Sequence, residues 1–192
     1  MLLLAACTSP EKKPETTKDN MQIVLNLQPD TTLLGERVKL GDVAVDAPRG
    51  WEQVSAMMME YMRDHAGKEA GQYRLAPEIS YTHPSGSVLV LSSFANPPEV
   101  EFAQFAMRVG AAYRAARAEL NPQEQWITLN GLRALQVYAA TESAVHLKII
   151  LGAGQPLSLD YTIPRQEWAA QRRAVESSIG SARVMTPEEA LR

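Results

Sequence analysis

Residues 145–163 of the chain, VHLKIILGAGQPLSLDYTI, decide the fold. Apolar residues occupy every second position on both sides of GAGQP, a pattern typical of two β-strands that each bury one face. If GAGQP forms the loop, Leu151 lies opposite Leu157 and Lys148 lies opposite Asp160. Because the opposite charges of that pair resist a slip of one residue, the sequence predicts an antiparallel hairpin with a fixed register.

A second hairpin is predicted just before the first. Asn130-Gly131 stands between the strand-like runs 125–129 and 132–140, and both central positions of a two-residue turn need a positive φ, which Asn and Gly tolerate. The four runs therefore predict an antiparallel meander. Residues 87–94 are apolar at odd and even positions alike, which predicts a strand covered on both faces. Shorter strand-like runs lie at residues 21–27, 37–45 (broken by Gly41-Asp42), 79–81 and around Val184.

Three segments have the period of amphipathic helices: residues 51–65, 97–120 and 164–180. The residues predicted to face the core are Val54, Met58, Tyr61 and His65 in the first, Phe102, Ala106, Val109, Tyr113, Ala116 and Leu120 in the second, and Trp168, Val175 and Ile179 in the third. The order strand, helix, strands, long helix, meander and helix predicts an α+β fold, an antiparallel sheet flanked by helices.

The composition excludes several classes of function. With 45% hydrophobic and 21% charged residues in 192, the chain is expected to bury a core. Its 19 basic and 22 acidic residues give a net charge of -3, so the chain is not predicted to bind nucleic acid. A single cysteine makes neither an internal disulfide nor a cysteine-rich zinc site.

The N-terminal residues Leu4-Ala5-Ala6-Cys7 resemble the lipobox of bacterial lipoproteins. In that family the chain is cut before the cysteine, whose thiol is then diacylated. The resemblance implies that Cys7 carries a lipid anchor and that residues 1–7 are the remnant of a lipoprotein signal. Each buried methylene contributes about 0.8 kcal/mol, so two or three acyl chains hold a protein on a membrane essentially permanently. The alternative is a free cysteine in a short apolar N-terminus.

Residues 8–20 contain no aliphatic or aromatic side chain and carry three lysines against three acidic residues. Such a segment contributes nothing to a core, and we interpret it as a flexible polar spacer before a single domain formed by residues 21–192. Thr8 stands where lipoproteins retained in the inner membrane carry an aspartate. The lipoprotein resemblance therefore implies the bacterial cell envelope, with the outer membrane favoured and the domain facing the periplasm.

The domain resembles the bacterial PsbP-like (DcrB-like) lipoproteins. The resemblance is carried by residues 45–51 (VDAPRGW), by Asn130-Gly131 at the start of a long strand, by the meander that follows, and by residues 176–179 (ESSI). It implies an α/β/α sandwich and accessory, binding or assembly roles, and it supplies no catalytic motif.

The sequence lacks the common enzyme motifs. The chain has no Gly-x-Ser-x-Gly elbow, no P-loop and no dinucleotide fingerprint, and its three histidines show no paired spacing. No catalytic residue, metal site or cofactor is therefore predicted.

Two clusters supply the candidate binding residues. The flexible side chains of clustered methionines are typical of adaptable binding grooves, although core packing or copper binding would also explain the cluster. The arginines would bind an acidic partner or form a solvated helix face. The candidates are Met58, Met59, Met62, Arg108, Arg114 and Arg117.

The sequence thus predicts a lipid-anchored envelope protein without enzymatic activity, which binds an envelope protein or a small ligand. The alternative is a periplasmic hydrolase or a metal-binding protein that uses scattered histidines and carboxylates.

Overall fold

The computed structural model describes residues 24–65 and 73–190. The described strands are β1 (Leu34–Leu40), β2 (Val43–Pro48), β3 (Glu52–Gln53), β4 (Arg74–Thr82), β5 (Val88–Ala95), β6 (Gln123–Leu129), β7 (Leu132–Ala140), β8 (Ala144–Gly152), β9 (Leu157–Pro164) and β10 (Arg183–Val184). The described α-helices are α1 (Ala56–His65), α2 (Phe102–Ala116), α3 (Trp168–Gly180) and α4 (Pro187–Ala190).

The strands form two antiparallel sheets. The larger sheet has the order β3-β4-β5-β9-β8-β7-β6, and the smaller sheet has the order β1-β2-β10. The register predicted for β8 and β9 is confirmed, because Leu151 pairs with Leu157 and Lys148 with Asp160. The predicted turn Asn130-Gly131 joins β6 to β7, with φ values of 46° and 85°.

Helices cover one face of the larger sheet, and a helix with the smaller sheet covers the other. On the first face, α2 encloses an apolar core with β4, β5, β7 and β8, and α1 packs against β4. On the second face, α3 and β2 enclose the larger core. The predicted α+β class and its flanking helices are thereby confirmed as an α/β/α arrangement.

The first helix begins later than predicted. Residues 52 and 53 pair with residues 82 and 81 as strand β3, so the helix expected over 51–65 starts at Ala56. Its predicted core face was also wrong. Met59 is the buried residue at 5% exposure, whereas Met58 and Tyr61 are 50% and 59% exposed.

The second helix is shorter at both ends than the predicted span 97–120. It occupies residues 102–116, and a separate 3-10 turn follows at Ala118–Leu120. Asn121, with a φ of 47°, ends that turn in the left-handed region. The buried residues of α2 are Phe105, Ala106, Val109, Gly110 and Tyr113, so only part of the predicted stripe is buried.

The strand expected over 21–27 is not found among its described residues. Instead, residues 24–30, which we call the N-terminal strap, run along α3. Arg172 donates to the carbonyl of Val24 at 2.7 Å, and Arg173 donates to the carbonyls of Asn26 and Gln28 at 2.9 and 2.7 Å. Side chains of α3 thus bind the carbonyl groups that a neighbouring strand would have paired.

Candidate functional site

A cavity lies between α1 and α2 because the two helices pack on strands that are far apart. Helix α1 contacts β4 and helix α2 contacts β7, with β5, β9 and β8 between them in the sheet. Four strand intervals of about 4.8 Å separate β4 from β7 by about 19 Å. A helix is about 10 to 12 Å in diameter, so a gap of about 8 Å remains above the central strands. A cavity of about 500 Å³ occupies this gap.

Alternate residues of the three central strands form the cavity floor. Strand β5, which the sequence predicted to be covered on both faces, buries Leu89 and Leu91 in the larger core and exposes Val88 and Val90 to the cavity. The second apolar face of this strand is therefore only partly covered. The polar floor residues are Ser92 from β5 and, from β8 and β9, His146, Lys148, Asp160 and Thr162.

An ion pair lies at the centre of the floor. Lys148 is paired with Asp160, and their side chains are 4% and 27% exposed. The Lys148 ammonium also donates to Ser158 Oγ at 3.3 Å, and Ser158 Oγ donates to Asp160 Oδ2 at 2.7 Å. The Tyr113 ring stands 5.5 Å from the ammonium. A buried ammonium is costly unless it is paired and hydrogen-bonded, and this arrangement provides both.

Hydroxyl and imidazole groups gather at one end of the cavity, where β7 turns into β8. Thr162 Oγ1 lies 3.3 Å from His146 Nδ1. Thr141 Oγ1 accepts a hydrogen bond from the backbone N–H of Ala144 at 2.9 Å, and Thr141 and Ser143 both line the cavity. Toward β4 the lining becomes apolar. The cavity therefore has a polar end and an apolar side.

The structure separates the six candidate binding residues. Met62 and Arg117 both line the cavity. Met59 is a core residue, as the core-packing alternative held, and Met58 is half exposed outside the cavity lining. Arg108 is exposed on α2.

Helical periodicity explains why the arginine cluster is divided. Arg117 follows Tyr113 by four residues and therefore shares the cavity-facing side of the helix end, whereas Arg114 lies on a different side. Arg114 pairs with Glu124 of β6 at 2.7 Å. The predicted anchor Cys7 and the predicted spacer 8–20 lie outside the described residues.

No protein-family model and no curated protein matches the chain. The fold is similar to the solution structure of cyanobacterial PsbP from Synechocystis sp. PCC 6803. The two chains share 11% sequence identity, the alignment covers 90% of this chain and 100% of that one, and the TM-score is 0.49. This similarity assigns no ligand to the cavity.

One contact between a histidine and a serine resembles a catalytic pair and lies outside the cavity. His83 Nδ1 is 2.9 Å from Ser85 Oγ, but it also accepts the backbone N–H of Ser85 at 3.2 Å. The backbone N–H of Gly86 donates to the His83 carbonyl in the same turn. These bonds close the hairpin between β4 and β5, so we assign the pair a structural role.

Of the described residues that line the cavity, Asp160 is the one with a carboxylate. Across the described residues, no three histidine, cysteine, aspartate or glutamate side chains come together as a metal site. In the same part of the chain, no helix is both long and apolar enough to cross a bilayer.

Sequence reasoning missed most of the cavity residues. The sequence identifies Lys148 and Asp160 only as a pair that fixes the strand register, and it gives His146 no role because the three histidines show no paired spacing. One signal was available in the sequence. These three residues alternate with the apolar residues of their strands, so they share the less apolar face of the predicted hairpin. Placing them together with Val90 required knowing that β5 pairs with β9.

Proposed function

We propose that the protein is a lipid-anchored binding module of the bacterial envelope, without catalytic activity, and that it holds a small molecule in the cavity between α1 and α2. The observation that carries the binding proposal is the cavity itself, with its apolar walls and central ion pair. Its volume of about 500 Å³ falls within the range of small-molecule sites, which is about 300 to 1,000 Å³.

The floor is accessible to a ligand from solvent. Asp160 keeps 27% of its side-chain exposure, although Lys148 beside it is buried. Tyr61, on the wall formed by α1, is 59% exposed. A ligand entering between the helices would replace water on apolar surface and reach polar groups that are already fixed by hydrogen bonds.

The N-terminal strap supports a tether on the side away from the cavity. It runs along α3, and α3 and the cavity lie on opposite faces of the larger sheet. Seventeen residue intervals separate Cys7 from Val24. A flexible chain of that length has an end-to-end distance of about 20 to 25 Å. Anchoring at Cys7 would hold the domain near the membrane with its cavity directed away from the attachment point.

Filling the cavity tests the binding proposal. Protein purified from bacterial envelopes is expected to carry a small molecule that native mass spectrometry detects. The Val90→Phe variant should lose it, because the larger ring occupies the space above the floor. The matched control is Met107→Phe on α2, where the side chain is 59% exposed and does not line the cavity. Retention of the molecule by folded Val90→Phe protein would refute a ligand site here.

The anchor is tested by the mass of the N-terminal peptide from the native host. We expect acyl chains on Cys7, and we expect the Cys7→Ala variant to move from the membrane fraction to the soluble fraction. An unmodified thiol on the native protein would refute the tether and leave the cavity proposal standing.

A protein partner is the second candidate, because α1 exposes large apolar side chains beside the cavity. Met57, Met58 and Tyr61 are 81%, 50% and 59% exposed. A photo-crosslinker at position 58 should give one discrete adduct in intact envelopes. The same group at position 107 of α2, which is similarly exposed, serves as the control. Identical adduct patterns at the two positions would argue against a specific partner on α1.

A further inference from the structure

We propose that the outer edge of β6 pairs with the same edge of a second copy of this chain, so that the two larger sheets join into one antiparallel sheet across a two-fold axis at Trp126. Three observations carry this inference: β6 lacks the features that protect sheet edges, its outward backbone groups match those of a second copy in one register, and that register opposes no like charges. The inference is independent of the ligand proposed for the cavity.

Strand β6 is a terminal strand of the larger sheet, and within the described part of the chain it pairs on one side only, with β7. It has seven residues, none of them lysine, arginine or proline, and its pairing with β7 runs without a register shift. Natural edge strands are usually short, bulged, or marked by lysine or proline, because an unprotected edge pairs with other chains. Strand β6 has none of these protections.

The other described edges of the two sheets are protected. At the opposite end of the larger sheet, β3 has two residues. In the smaller sheet, β10 also has two residues, and β1 carries Lys39 and a register shift between Leu34 and Arg37. Among the described strands, the long unprotected edge is thus confined to β6.

The turn Asn130-Gly131 determines which backbone groups of β6 point outward. A two-residue turn closes with a hydrogen bond between the residues that flank it, here Leu129 and Leu132. Because hydrogen-bonded and non-hydrogen-bonded pairs alternate along an antiparallel ladder, every second residue back from Leu129 also bonds to β7. The residues between them direct their N–H and C=O groups away from β7. These residues are Glu124, Trp126 and Thr128.

Two copies of β6 pair all of these outward groups in one antiparallel register. It places Trp126 opposite Trp126 of the second copy, and Glu124 opposite Thr128 in both directions. Each pair exchanges two backbone hydrogen bonds, so every outward group of the strand is satisfied. A shift of two residues in either direction leaves one outward residue of each copy opposite Pro122 or Asn130, which lie outside the strand. The central register is therefore favoured.

The charges at the edge are compatible with this register. No like charges lie opposite each other, because Glu124 faces Thr128 and Gln125 faces Ile127 across the axis. Arg133 of β7 pairs with Thr128 of its own chain. Arg133 of one copy and Glu124 of the other therefore lie in one row, two strand intervals or about 9.6 Å apart. Opposite charges thus approach each other twice, once on each side of the axis.

Trp126 supplies an apolar contact on the axis. Its side chain is 36% exposed, and its ring lies 6.1 Å from the Phe102 ring and 4.3 Å from the Arg133 guanidinium. The two Cα atoms of a hydrogen-bonded antiparallel pair are about 5.5 Å apart. The indole rings of the two copies would therefore lie side by side, and aromatic cross-strand pairs stabilise sheets.

The helices above the joined sheet have room beside each other. Helix α2 contacts β7. Three strand intervals of about 4.8 Å would separate the two β7 strands by about 14 Å. A helix with its side chains is about 10 to 12 Å in diameter, so the two α2 helices stand next to each other without overlap.

The pairing also orients the two copies alike. Residues opposite each other in a ladder point to the same face of the sheet, so both N-terminal straps lie on one face of the joined sheet and both cavities on the other. Two copies anchored as proposed above would attach to one membrane. Confinement there raises the effective concentration of each copy for the other, which favours a second copy over a foreign strand.

Self-association and hydrogen exchange test the interface on the purified full chain. Reducing conditions keep Cys7 from linking two copies. Analytical ultracentrifugation from about 1 μM to about 1 mM should show a monomer that becomes a dimer. By NMR, the amides of Trp126 and Thr128 should gain protection from exchange as the concentration rises. The amides of Gln125 and Ile127, which bond to β7, should be equally protected throughout.

Charges placed on the axis test the register. Trp126→Lys and Trp126→Glu each put like charges opposite themselves, and each should weaken dimerisation at least about tenfold. An equimolar mixture of the two variants should restore the dimer, because the new charges then have opposite signs. Both variants lose the same contacts with Phe102 and Arg133, so the mixture isolates the charge pair. Thermal unfolding verifies that each variant is folded.

The matched control is Gln125→Lys, which adds the same charge one position away. Its side chain is exposed, and Ile127 of the second copy lies opposite it in the proposed register. This variant should dimerise like the wild type.

Three outcomes would overturn the inference. The first is a chain that stays monomeric over the whole concentration range, or a mixture that associates no better than either axis variant alone. The second is protection of the Trp126 and Thr128 amides in a monomer, independent of concentration, because another segment of the same chain would then cover the edge. The third is a dimer that both axis variants leave intact, because its interface would lie elsewhere.

Discussion

The two faces of the seven-stranded sheet are built from the same strands and differ in how completely they are covered. On the face toward α3, the side chains of Leu89, Leu91, Ile149 and Leu159 are at most 1% exposed. On the face toward α1 and α2, Val90 is partly exposed above a cavity. Neighbouring residues of one strand therefore have different roles: one packs in the core toward α3, and the next lines the cavity on the opposite face.

The difference arises from what covers each face. Helix α3 and the smaller sheet together enclose one continuous apolar core. Helices α1 and α2 instead lie on β4 and β7, and no described element fills the space between them. Polar groups are therefore accommodated above the central strands on that face.

Adjacent residues of β5 give the largest expected contrast. Leu91→Ala, at a side chain 1% exposed, should lower the free energy of unfolding by about 3 kcal/mol, since cavities in close-packed cores are costly. Val90→Ala should cost less than about 1 kcal/mol, because its methyl groups already border an open cavity. Urea denaturation measures both values. Equal losses would show that the cavity face is packed as tightly as the other.

The ion pair of the cavity floor gives the next contrast. Asp160→Asn leaves the ammonium of Lys148, at 4% exposure, without its carboxylate. We expect a loss of about 2 kcal/mol, below the 3 to 5 of a fully buried pair because Asp160 is partly exposed. Lys148→Met removes the buried charge and keeps most of the volume, so the loss should stay under about 1 kcal/mol. A larger loss for Lys148→Met than for Asp160→Asn in denaturant titrations would contradict this reasoning.

Local patterns were enough to predict the most regular part of the packed face. The period of two in β8 and β9 and the charges at 148 and 160 determined their register, which the structure confirms. Asn130-Gly131 likewise identified its own turn, because few residues tolerate positive φ at two successive positions. These features depend on neighbours a few residues away in the chain.

The cavity depends on pairings that no local pattern contains. Val90, Asp160 and Lys148 meet in one row because β5 pairs with β9, some seventy residues later in the chain. The predicted start of α1 was wrong for the same reason, because Glu52–Gln53 pairs with β4, a strand that begins only at Arg74. The clustering of methionines and arginines made Met62 and Arg117 candidates but did not separate them from the other candidates on the same helices.

Two helical glycines test how each face tolerates an added methyl group. A Cβ on Gly180 of α3 would collide with the backbone oxygen of Leu27 in the N-terminal strap, so the strap must shift. A Cβ on Gly110 of α2 would meet chiefly the carboxylate end of Glu124, at 2.5 Å, which is able to rotate.

Both substitutions gain up to about 1 kcal/mol of helix propensity. We expect Gly180→Ala to destabilise the protein by about 1 kcal/mol net, since overpacking typically costs about 1 to 3 kcal/mol. Gly110→Ala should be near neutral. Denaturant titration gives the two values, and hydrogen exchange should show lost protection of the Asp30 amide, which donates to Ser177 Oγ of α3, only for Gly180→Ala. Unchanged protection of the strap in that variant would show that the methyl group is accommodated elsewhere.

Lowering the pH should change the stabilities contributed by two glutamates in opposite directions, because their pKa values are shifted in opposite directions. Hydrogen bonds from Arg183 and from the backbone N–H of Thr186 lower the pKa of Glu189 to about 2, next to the smaller sheet. Burial raises the pKa of Glu124, beside α2, and Arg114 opposes that shift only in part. A lowered pKa stabilises the fold above the ordinary glutamate value of 4.5 and loses that contribution as the pH falls toward 2. A raised pKa has the opposite sign: the charged form is penalised above 4.5, and protonation relieves the penalty.

The comparison of Glu189→Gln with Glu124→Gln follows from these signs, with small effects expected because both side chains keep some contact with water, at 32% and 19% exposure. Glu189→Gln should lower the Tm at pH 7 and converge with the wild type near pH 2, since protonation of the native carboxyl removes the same charge. Glu124→Gln should raise the Tm at pH 7, because the uncharged amide avoids the desolvation cost, and this gain should shrink as the pH falls. Scanning calorimetry from pH 7 to pH 2 measures both curves. Parallel curves for the two variants would mean that the two carboxylates have similar surroundings, which contradicts the opposite directions of their pKa shifts.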